Sequence, residues 1–302
     1  MERKAYMSEI YIVAGGDMRF PALAEQLSEK YTVYTVGMDK QKISCEKAIF
    51  AESLEDIPCP ADCLILPLPV SSDGKTLNAP FSEKAVPLSQ LADIVKDNGK
   101  VMGGMITPEV KEIFSVRGIE VTDYFKREEL AVSNALATAE GALQIALEEQ
   151  PTIISGSSIL ITGMGRISKA LIRILSGFGA EITVCARKYS DLAWAQIYGC
   201  KTVMLSKLVE SDALKKADII FNTVPHIILT EPVLKECSRK CLIIDLASKP
   251  GGLDIQSAVQ LGLRTIWALS LPGKCAPVSS GRMIAQAIEN ILSEQNTHDH
   301  SP

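Results

Sequence analysis

The sequence predicts an α/β protein with two domains, each built on a parallel β-sheet. Three observations support this class. The 302 residues are many for one domain and fit two domains of about 150. Apolar runs of strand length alternate with helical periodicity along both halves of the chain. Near the middle, a glycine-rich turn connects one of these strands to a helix, at residues 157–178.

Composition and charge narrow the range of partners. With 47% hydrophobic and 22% charged residues, the chain has an ordinary globular composition. Its 31 basic and 36 acidic residues give a net charge of −5 without a basic run, so we expect neither nucleic acid nor a membrane as a partner. No signal-like apolar segment follows the first residues, which predicts a cytoplasmic protein. The eight cysteines lack zinc-site spacing, so we expect reduced thiols and no metal.

The glycine turn is typical of a dinucleotide site. A strand at 157–162 leads into Gly163 and Gly165, and a helix with apolar residues at helical spacing follows. The first glycine permits the tight turn, and the second lets the backbone approach a pyrophosphate at the helix N-terminus. Ser168 replaces the third glycine, and a second strand is predicted at 181–186, which completes a Rossmann-like unit. The residues predicted to hold the dinucleotide here are Gly163, Gly165, Arg166 and Ile167.

The end of the second strand indicates which dinucleotide binds. An acidic residue there would accept the ribose 2′-hydroxyl of NAD, whereas basic residues accommodate the 2′-phosphate of NADP. The chain continues with Ala186, Arg187 and Lys188, and its next carboxylate is Asp191. We therefore expect NADP(H) to be favoured over NAD(H), although both basic residues could instead be ordinary solvated charges.

Further strands at 217–225 and 241–246 belong to the same predicted sheet. Because ligands lie beyond the carboxyl ends of parallel strands, the residues at the ends of these strands and just after them should line the cofactor. They are Asn222, Thr223, Val224, Pro225, Asp245 and Ala247.

The first half of the chain repeats the α/β rhythm and supplies candidate substrate loops. Strands are predicted at 9–14, 32–36, 48–50, 63–66 and 100–102. Loops 15–19 and 67–75 follow two of these strands, so their polar residues are candidates for substrate contact. Asp17, Arg19 and Ser71 are the binding candidates, and Asp73 is a candidate base. Ordinary turn and loop roles explain the same residues nearly as well.

Two long helices complete the predicted architecture. The segment 128–150 lacks proline and reads as a linking helix, with Thr138 as a candidate substrate contact and Glu140 as a candidate base. A second helix at 278–296 follows the loop that contains Lys274, a further candidate for the substrate, and either completes the first domain or ends the second. The expected domains are thus 1–127 and 151–277, with a cleft between them and a polar tail at 293–302.

Seven segments in the same order give the chain a specific resemblance. It is similar to the dipicolinate synthase A-subunit family in GGDMRF (15–20), LPLPVSSDG (66–74), REELAVSNALATAEGA (127–142), GMGRISKAL (163–171), NTVP (222–225), DLASKPGG (245–252) and LPGKCAPVSSG (271–281).

The resemblance implies an oxidoreductase of sporulating bacteria. It would oxidise dihydrodipicolinate, a small dicarboxylate, to dipicolinate with NADP, in the mother-cell cytoplasm and together with the flavoprotein-like B-subunit of dipicolinate synthase. A homo-oligomer is compatible with this reading. Two alternatives stay open: another NADP-dependent oxidoreductase with the architecture of shikimate or methylenetetrahydrofolate dehydrogenase, and a non-catalytic nucleotide-binding scaffold.

Overall fold

The computed structural model describes residues 9–42, 46–58 and 60–298. Within them the chain forms two compact units. The first contains Met1–Ser133 and Ala276–Pro302, and the second contains Asn134–Cys275. The second unit is therefore inserted, in chain order, between two parts of the first.

The first unit is a six-stranded parallel sheet with helices between its strands. Its elements are β1 (Ile10–Ala14), α1 (Arg19–Leu27), β2 (Thr32–Val36), β3 (Ile49–Phe50), β4 (Ala61–Ile65), α2 (Leu88–Asp93), β5 (Val95–Gly103), α3 (Pro108–Ser115), β6 (Val121–Asp123) and α4 (Glu128–Glu149), which continues into the second unit. The strand order is β3-β2-β1-β4-β5-β6. The five predicted strands are confirmed, while β6, α2 and α3 were not predicted.

The second unit repeats this architecture. Its elements are β7 (Ser158–Thr162), α5 (Arg166–Gly177), β8 (Glu181–Ala186), α6 (Tyr189–Ile197), β9 (Lys201–Met204), α7 (Ala213–Lys216), β10 (Ile219–Asn222), α8 (Glu231–Lys235), β11 (Leu242–Asp245), α9 (Ile255–Gln260), β12 (Arg264–Trp267) and α10 (Leu271–Cys275). The order β12-β11-β10-β7-β8-β9 reverses direction between β7 and β10, as the first sheet does between β1 and β4. Both sheets have the strand order of the Rossmann fold, so the predicted fold class is confirmed.

Each sheet is buried on both faces, as expected for parallel strands that are covered by crossover helices. In the first unit Ile12 and Leu64 belong to the core on one face, whereas Val13 and Ile65 belong to the core on the other. This alternation follows from the two-residue period of a strand. The second unit has the same two-layered core.

The last helix, α11 (Pro277–His298), belongs to the first unit and packs on α1. Apolar residues of both helices meet in one core cluster, among them Leu23 and Ile288. The helices approach so closely that a Cβ at Gly281 would lie 2.1 Å from the carbonyl oxygen of Arg19. Since α11 extends through His298, residues 293–298 of the predicted tail are helical, and 299–302 lie outside the described residues.

Helix α4 is long and apolar enough to cross a membrane by length and composition, and it alone meets that test among the described residues. Of its most apolar window, 44% is buried inside the protein. Ala139, Ala142 and Ala146 from this helix lie in the core of the second unit. Packing in that core accounts for its apolar character.

Candidate cofactor site

The candidate site lies in the second unit, where the strand order reverses between β7 and β10. Loops after these two strands diverge to opposite faces of the sheet and leave a crevice at the carboxyl edge. Thr162 ends β7, and Asn222, which ends β10, is its direct neighbour across the sheet. The predicted glycine turn and the predicted segment 222–225 therefore meet at this point.

The glycine turn has the geometry that a pyrophosphate requires. Gly163 has φ +93°, and a Cβ there would lie 2.6 Å from the Thr223 hydroxyl oxygen. Gly165, by contrast, has no described atom within 4 Å of the position where a Cβ would stand. It caps the 12-residue helix α5, whose first turn presents N–H groups without intrahelical partners. An anion can approach the backbone at Gly165 and meet the positive end of the helix dipole.

Ser168, at the third glycine position, connects this turn to β10. It is fully buried, and its hydroxyl lies 2.9 Å from that of Thr223. Thr223 in turn donates to the carbonyl oxygen of Thr162 at 2.8 Å. The serine therefore replaces glycine without opening a gap, because its hydroxyl takes part in a hydrogen-bonded chain between the helix and the strand end. Arg166 is exposed and Ile167 half-buried.

The end of β8 presents two cations. Ala186 is buried at the end of the strand, while Arg187 and Lys188 are exposed, and Lys188 caps α6. Asp191 lies in the first turn of that helix. The carbonyl oxygen of Cys185 accepts the Gly163 N–H at 2.8 Å, which fixes the end of β8 beside the glycine turn. The two cations thus follow a strand end that is bonded to the glycine turn.

The predicted residues after β10 and β11 divide into exposed and buried groups. Pro225 is exposed, and Thr223 and Val224 are half-buried. Asn222, Asp245 and Ala247 are buried, and the Asn222 amide donates to the Asp245 carboxylate at 2.7 Å. Sequence reasoning placed all six along the cofactor, but it did not indicate that Asn222 and Asp245 are bonded to each other.

The glycine turn of the first unit is closed by its own neighbours. Gly16 donates its N–H to the carbonyl oxygen of Asn78 at 2.9 Å, and a Cβ at Gly15 would lie 2.8 Å from Leu77. The backbone group that would meet a phosphate is therefore already occupied. This explains why equal strand order in the two units gives only the second an open glycine turn.

Arg19 is held rigidly at the strand-order reversal of the first unit. Its side chain is 11% exposed. Its Nε and Nη2 donate to the two carboxylate oxygens of Asp17 at 2.8 and 2.9 Å, and Nη2 also donates to the Leu68 carbonyl oxygen at 3.0 Å. Among the described residues, Nη1 makes no hydrogen bond. Nε and Nη2 are thus fully used by these bonds, and Nη1 is the nitrogen left as a candidate donor to an anion.

Asp73 organises its own loop. Its carboxylate accepts hydrogen bonds from the backbone and hydroxyl of Thr76, the backbone of Lys75 and the hydroxyl of Ser71. These bonds, that from the Thr76 backbone foremost, hold the pKa of Asp73 well below its ordinary value. A carboxylate stabilised in this way is a weak proton acceptor.

Three further candidates belong to the second unit. Thr138 is half-buried and donates its hydroxyl to the carbonyl oxygen of Asn134 at 2.8 Å, a bond within α4. Glu140 is exposed on the same helix, and Lys274 is exposed on α10. The roles predicted for these residues remain predictions.

Comparison with known proteins identifies the family to which the chain belongs. Residues 11–125 match the family described as the N-terminal domain of the dipicolinate synthase A-subunit, and residues 123–248 match the D-isomer specific 2-hydroxyacid dehydrogenase, NAD binding domain. Over 285 residues the chain is 30% identical to the dipicolinate synthase A-subunit of Bacillus subtilis (strain 168), an alignment that covers 93% of this chain and 95% of the relative. The chain belongs to the dipicolinate synthase A-subunit family.

Solved structures agree with membership of the dipicolinate synthase A-subunit family. The A chain of dipicolinate synthase from Bacillus subtilis has a TM-score of 0.84 and 28% identity, covering 96% of this chain and 98% of that one. The dipicolinate synthase A-subunit from Bacillus halodurans has a TM-score of 0.84 and 25% identity, with 94% and 97% coverage. A transhydrogenase from Sinorhizobium meliloti, at 14% identity and a TM-score of 0.68, shares the fold.

Two residues of the candidate cofactor site were not predicted from the sequence. Thr162 donates its hydroxyl to the side-chain oxygen of Asn222 at 2.5 Å, and Gly252 donates its N–H to Asp245 at 2.8 Å. The second glycine of Pro250-Gly251-Gly252, which follows a strand that ends in Asp, was the signal for Gly252. Thr162 carried no signal, because its partner is 60 positions away.

Proposed function

We propose that this chain is the dehydrogenase component that oxidises dihydrodipicolinate to dipicolinate with NADP. Membership of the family and the NAD-binding dehydrogenase domain support the reaction class. The observation that carries the proposal is the open glycine turn at Gly165, beside the exposed cations Arg187 and Lys188. It fits a pyrophosphate and a ribose 2′-phosphate at adjacent positions.

Substrate binding would rest on the carboxylates of the dihydropyridine ring. Arg19 fits this role because Asp17 and Leu68 fix its orientation and leave Nη1 available to one carboxylate oxygen. Asp17 then orients the arginine and does not meet the substrate itself. Ser71, Thr138 and Lys274 are further candidates for polar contact.

The proposed oxidation requires little of the protein beyond positioning the substrate against the nucleotide. The bound nucleotide supplies the hydride acceptor, and loss of a ring proton makes the product aromatic, which is strongly favourable. The side chains must therefore mainly hold the ring, neutralise its carboxylates and take up one proton. Glu140 is the better candidate for the base, since the hydrogen bonds of Asp73 lower the proton affinity of that carboxylate.

The proposed setting is the cytoplasm of the mother cell in a sporulating bacterium. There the chain would act with the flavoprotein-like B-subunit of dipicolinate synthase, with neither nucleic acid nor membrane as a partner, and as a homo-oligomer or a single copy in the complex. These proposals rest on the family resemblance and on the charge of −5.

One observation favours a second function, a nucleotide-binding scaffold that activates the B-subunit. Asp73, one of the two candidate bases, is fully engaged in its own loop. A scaffold needs no base, whereas a dehydrogenase needs one.

One experiment tests both proposals. NADPH formation from enzymatically generated dihydrodipicolinate is measured with this chain, with the B-subunit, and with the two mixed. A dehydrogenase gives turnover that depends on this chain and falls in an Arg19→Ala variant that still binds NADPH. If the variant keeps full activity in the mixture, the substrate role is wrong. If the B-subunit alone turns over NADP⁺ and the Arg19→Ala variant raises that rate as much as the unmodified chain does, the scaffold is correct.

A further inference from the structure

Two polar side chains are buried where β10 and β11 end. Asn222 is 0% exposed and Asp245 is 2% exposed. The two residues are direct neighbours across the sheet, and the Asn222 amide nitrogen donates to Asp245 Oδ1 at 2.7 Å. Among the described residues, no cation lies within ion-pair distance of Asp245. The carboxylate is therefore stabilised by hydrogen bonds alone, which is an uncommon arrangement for a buried acid.

The pair holds the loop that follows β10. Asn222 accepts the backbone N–H of Val224 at 3.2 Å and donates to its carbonyl oxygen at 3.1 Å. The hydroxyl of Thr162, at the end of β7, also donates to Asn222. One side chain thus determines the path of residues 222–225 relative to the strand before the glycine turn.

The same pair holds the loop that follows β11. Asp245 accepts the backbone N–H of Ala247 at 3.0 Å through Oδ1 and that of Gly252 at 2.8 Å through Oδ2. The contact is so close that a Cβ on Gly252 would stand 2.2 Å from the Asn222 amide nitrogen and 2.5 Å from the Val224 carbonyl oxygen. Both loops are therefore locked to each other through two side chains.

Burial decides how these side chains act. The Asp245 carboxylate bonds to the Asn222 amide and to two backbone N–H groups, and neither residue exposes enough surface to meet a ligand. Their influence on a bound molecule must pass through the backbones of residues 223–225 and 247–252. In a doubly wound sheet, the first half (β7-β8-β9) binds the adenosine side of a dinucleotide, and the second half (β10-β11-β12) binds the other mononucleotide.

We infer that Asn222 and Asp245 are positioning residues for the nicotinamide half of the cofactor and contact neither nucleotide nor substrate. They fix two loops of the second mononucleotide half, while Arg187 and Lys188 recognise the adenosine half independently. This inference rests on the proposed NADP site. The sequence predicted that Asn222 and Asp245 contact the cofactor directly. The inference is instead that they act on it indirectly, through the loops that they fix.

The test separates the two halves of the cofactor. Asp245→Asn retains the shape of the side chain, but an amide cannot accept on both sides, so at least one of the three donors loses its acceptor. We expect NADP⁺ to bind roughly tenfold more weakly, because a loop that has lost one of its hydrogen bonds must be ordered again when the nicotinamide half binds. Adenosine 2′,5′-bisphosphate, which lacks the nicotinamide half, should bind with unchanged affinity. Both are measured by calorimetric titration of the full chain.

Matched variants separate positioning from general damage. Asp212→Asn, at the N-cap of α7 and in an exposed ion pair with Lys216, makes the same chemical change away from the pair and should alter neither affinity. Thr162→Val removes only the donor to Asn222 and should give the same selective loss in smaller measure. This milder variant provides the answer if Asp245→Asn fails to fold, as judged by its thermal unfolding.

The outcomes are distinct. Selective loss of NADP⁺ affinity supports the inference. Equal loss for NADP⁺ and the bisphosphate in a folded variant overturns it, because the pair would then only support the domain as a whole. Unchanged NADP⁺ affinity in both variants overturns it as well. Failure of the unmodified chain to bind NADP⁺ or the bisphosphate overturns the proposed function and the inference with it.

Discussion

Two exposed side chains at the end of β8 set the expected nucleotide preference. Arg187 and Lys188 follow the last buried residue of the strand and precede α6. Being exposed, they cost little to keep charged until a phosphate arrives. The proposed preference for NADP over NAD is therefore tested at these two residues.

Arg187→Ala is expected to weaken NADP⁺ binding about tenfold or more and to leave NAD⁺ binding unchanged. One charge-assisted hydrogen bond to a phosphate contributes about 1.5–3 kcal/mol. Titration of both nucleotides measures the effect. Lys240→Ala is the matched control. Lys240 is exposed and precedes β11, so it lies at the amino ends of the strands, whereas Arg187 lies at the carboxyl ends. Equal losses for the two nucleotides would contradict a 2′-phosphate contact.

Arg19→Lys is expected to lower kcat/KM for the dihydropyridine and leave NADPH affinity unchanged. A lysine has a single nitrogen and cannot make the paired bonds to Asp17 while a further nitrogen donates to a carboxylate. Steady-state kinetics in the mixture with the B-subunit, with a parallel nucleotide titration, provide the measurement. Arg117→Lys, at an exposed ion pair in the same unit, is the control. A variant with the activity of the unmodified chain would remove Arg19 from the substrate site.

At the scale of elements, the two glycine turns show how one topology serves two purposes. Both follow the first strand of a sheet and precede a helix. In the first unit the turn is closed by Leu77 and Asn78, whereas Gly165 in the second faces open space. Turn packing, and not strand order, decides which sheet holds a nucleotide.

Two alanine substitutions in this turn should have opposite effects. Gly165→Ala is expected to leave thermal stability nearly unchanged and to abolish tight NADP⁺ binding, because the new methyl occupies the space that a phosphate needs. Gly163→Ala should destabilise the fold by about 1–3 kcal/mol, since its φ is +93° and the methyl would clash with Thr223. Thermal unfolding and titration of both variants check this. Normal NADP⁺ affinity in folded Gly165→Ala would refute the site.

At the scale of the whole molecule, stability should be greatest near neutral pH. Hydrogen bonds from Ser257 lower the pKa of Asp254, so its contribution is present above the unfolded-state pKa and is lost as the pH falls. Burial raises the pKa of Cys63 from 9.0 to about 12 and that of Cys237 to about 11. Their contributions are present below the unfolded-state pKa and are lost as the pH rises through the alkaline range.

The midpoint temperature of thermal unfolding should therefore decrease when the pH is lowered below about 4 and when it is raised above about 9. Thermal unfolding across this range measures it. Cys63→Ala should show a smaller alkaline decline than the unmodified chain, because a buried thiol no longer has to stay protonated. An equal decline in both would assign the alkaline loss to other groups.

Much of this molecule follows from sequence pattern. The five strands predicted in the first half and the β7-turn-α5-β8 unit were recognised because their apolar residues are contiguous or periodic. Strand β6 reads Val-Thr-Asp, and a single apolar residue gives no recognisable apolar pattern. The packing of the site was not predictable, since the Asn222–Asp245 bond joins residues 23 positions apart and the closure of the first turn depends on Asn78.

The interrupted first unit has a consequence for synthesis on the ribosome. Helix α1, which carries Arg19, packs on α11, and α11 is made after every strand of both sheets. While the chain grows, the second unit can acquire all its strands and its nucleotide while Phe20, Leu23 and Leu27 of α1 still lack that partner. The second unit should thus complete its sheet before the apolar face of α1 is covered by α11, and a chaperone would have most to protect in that interval.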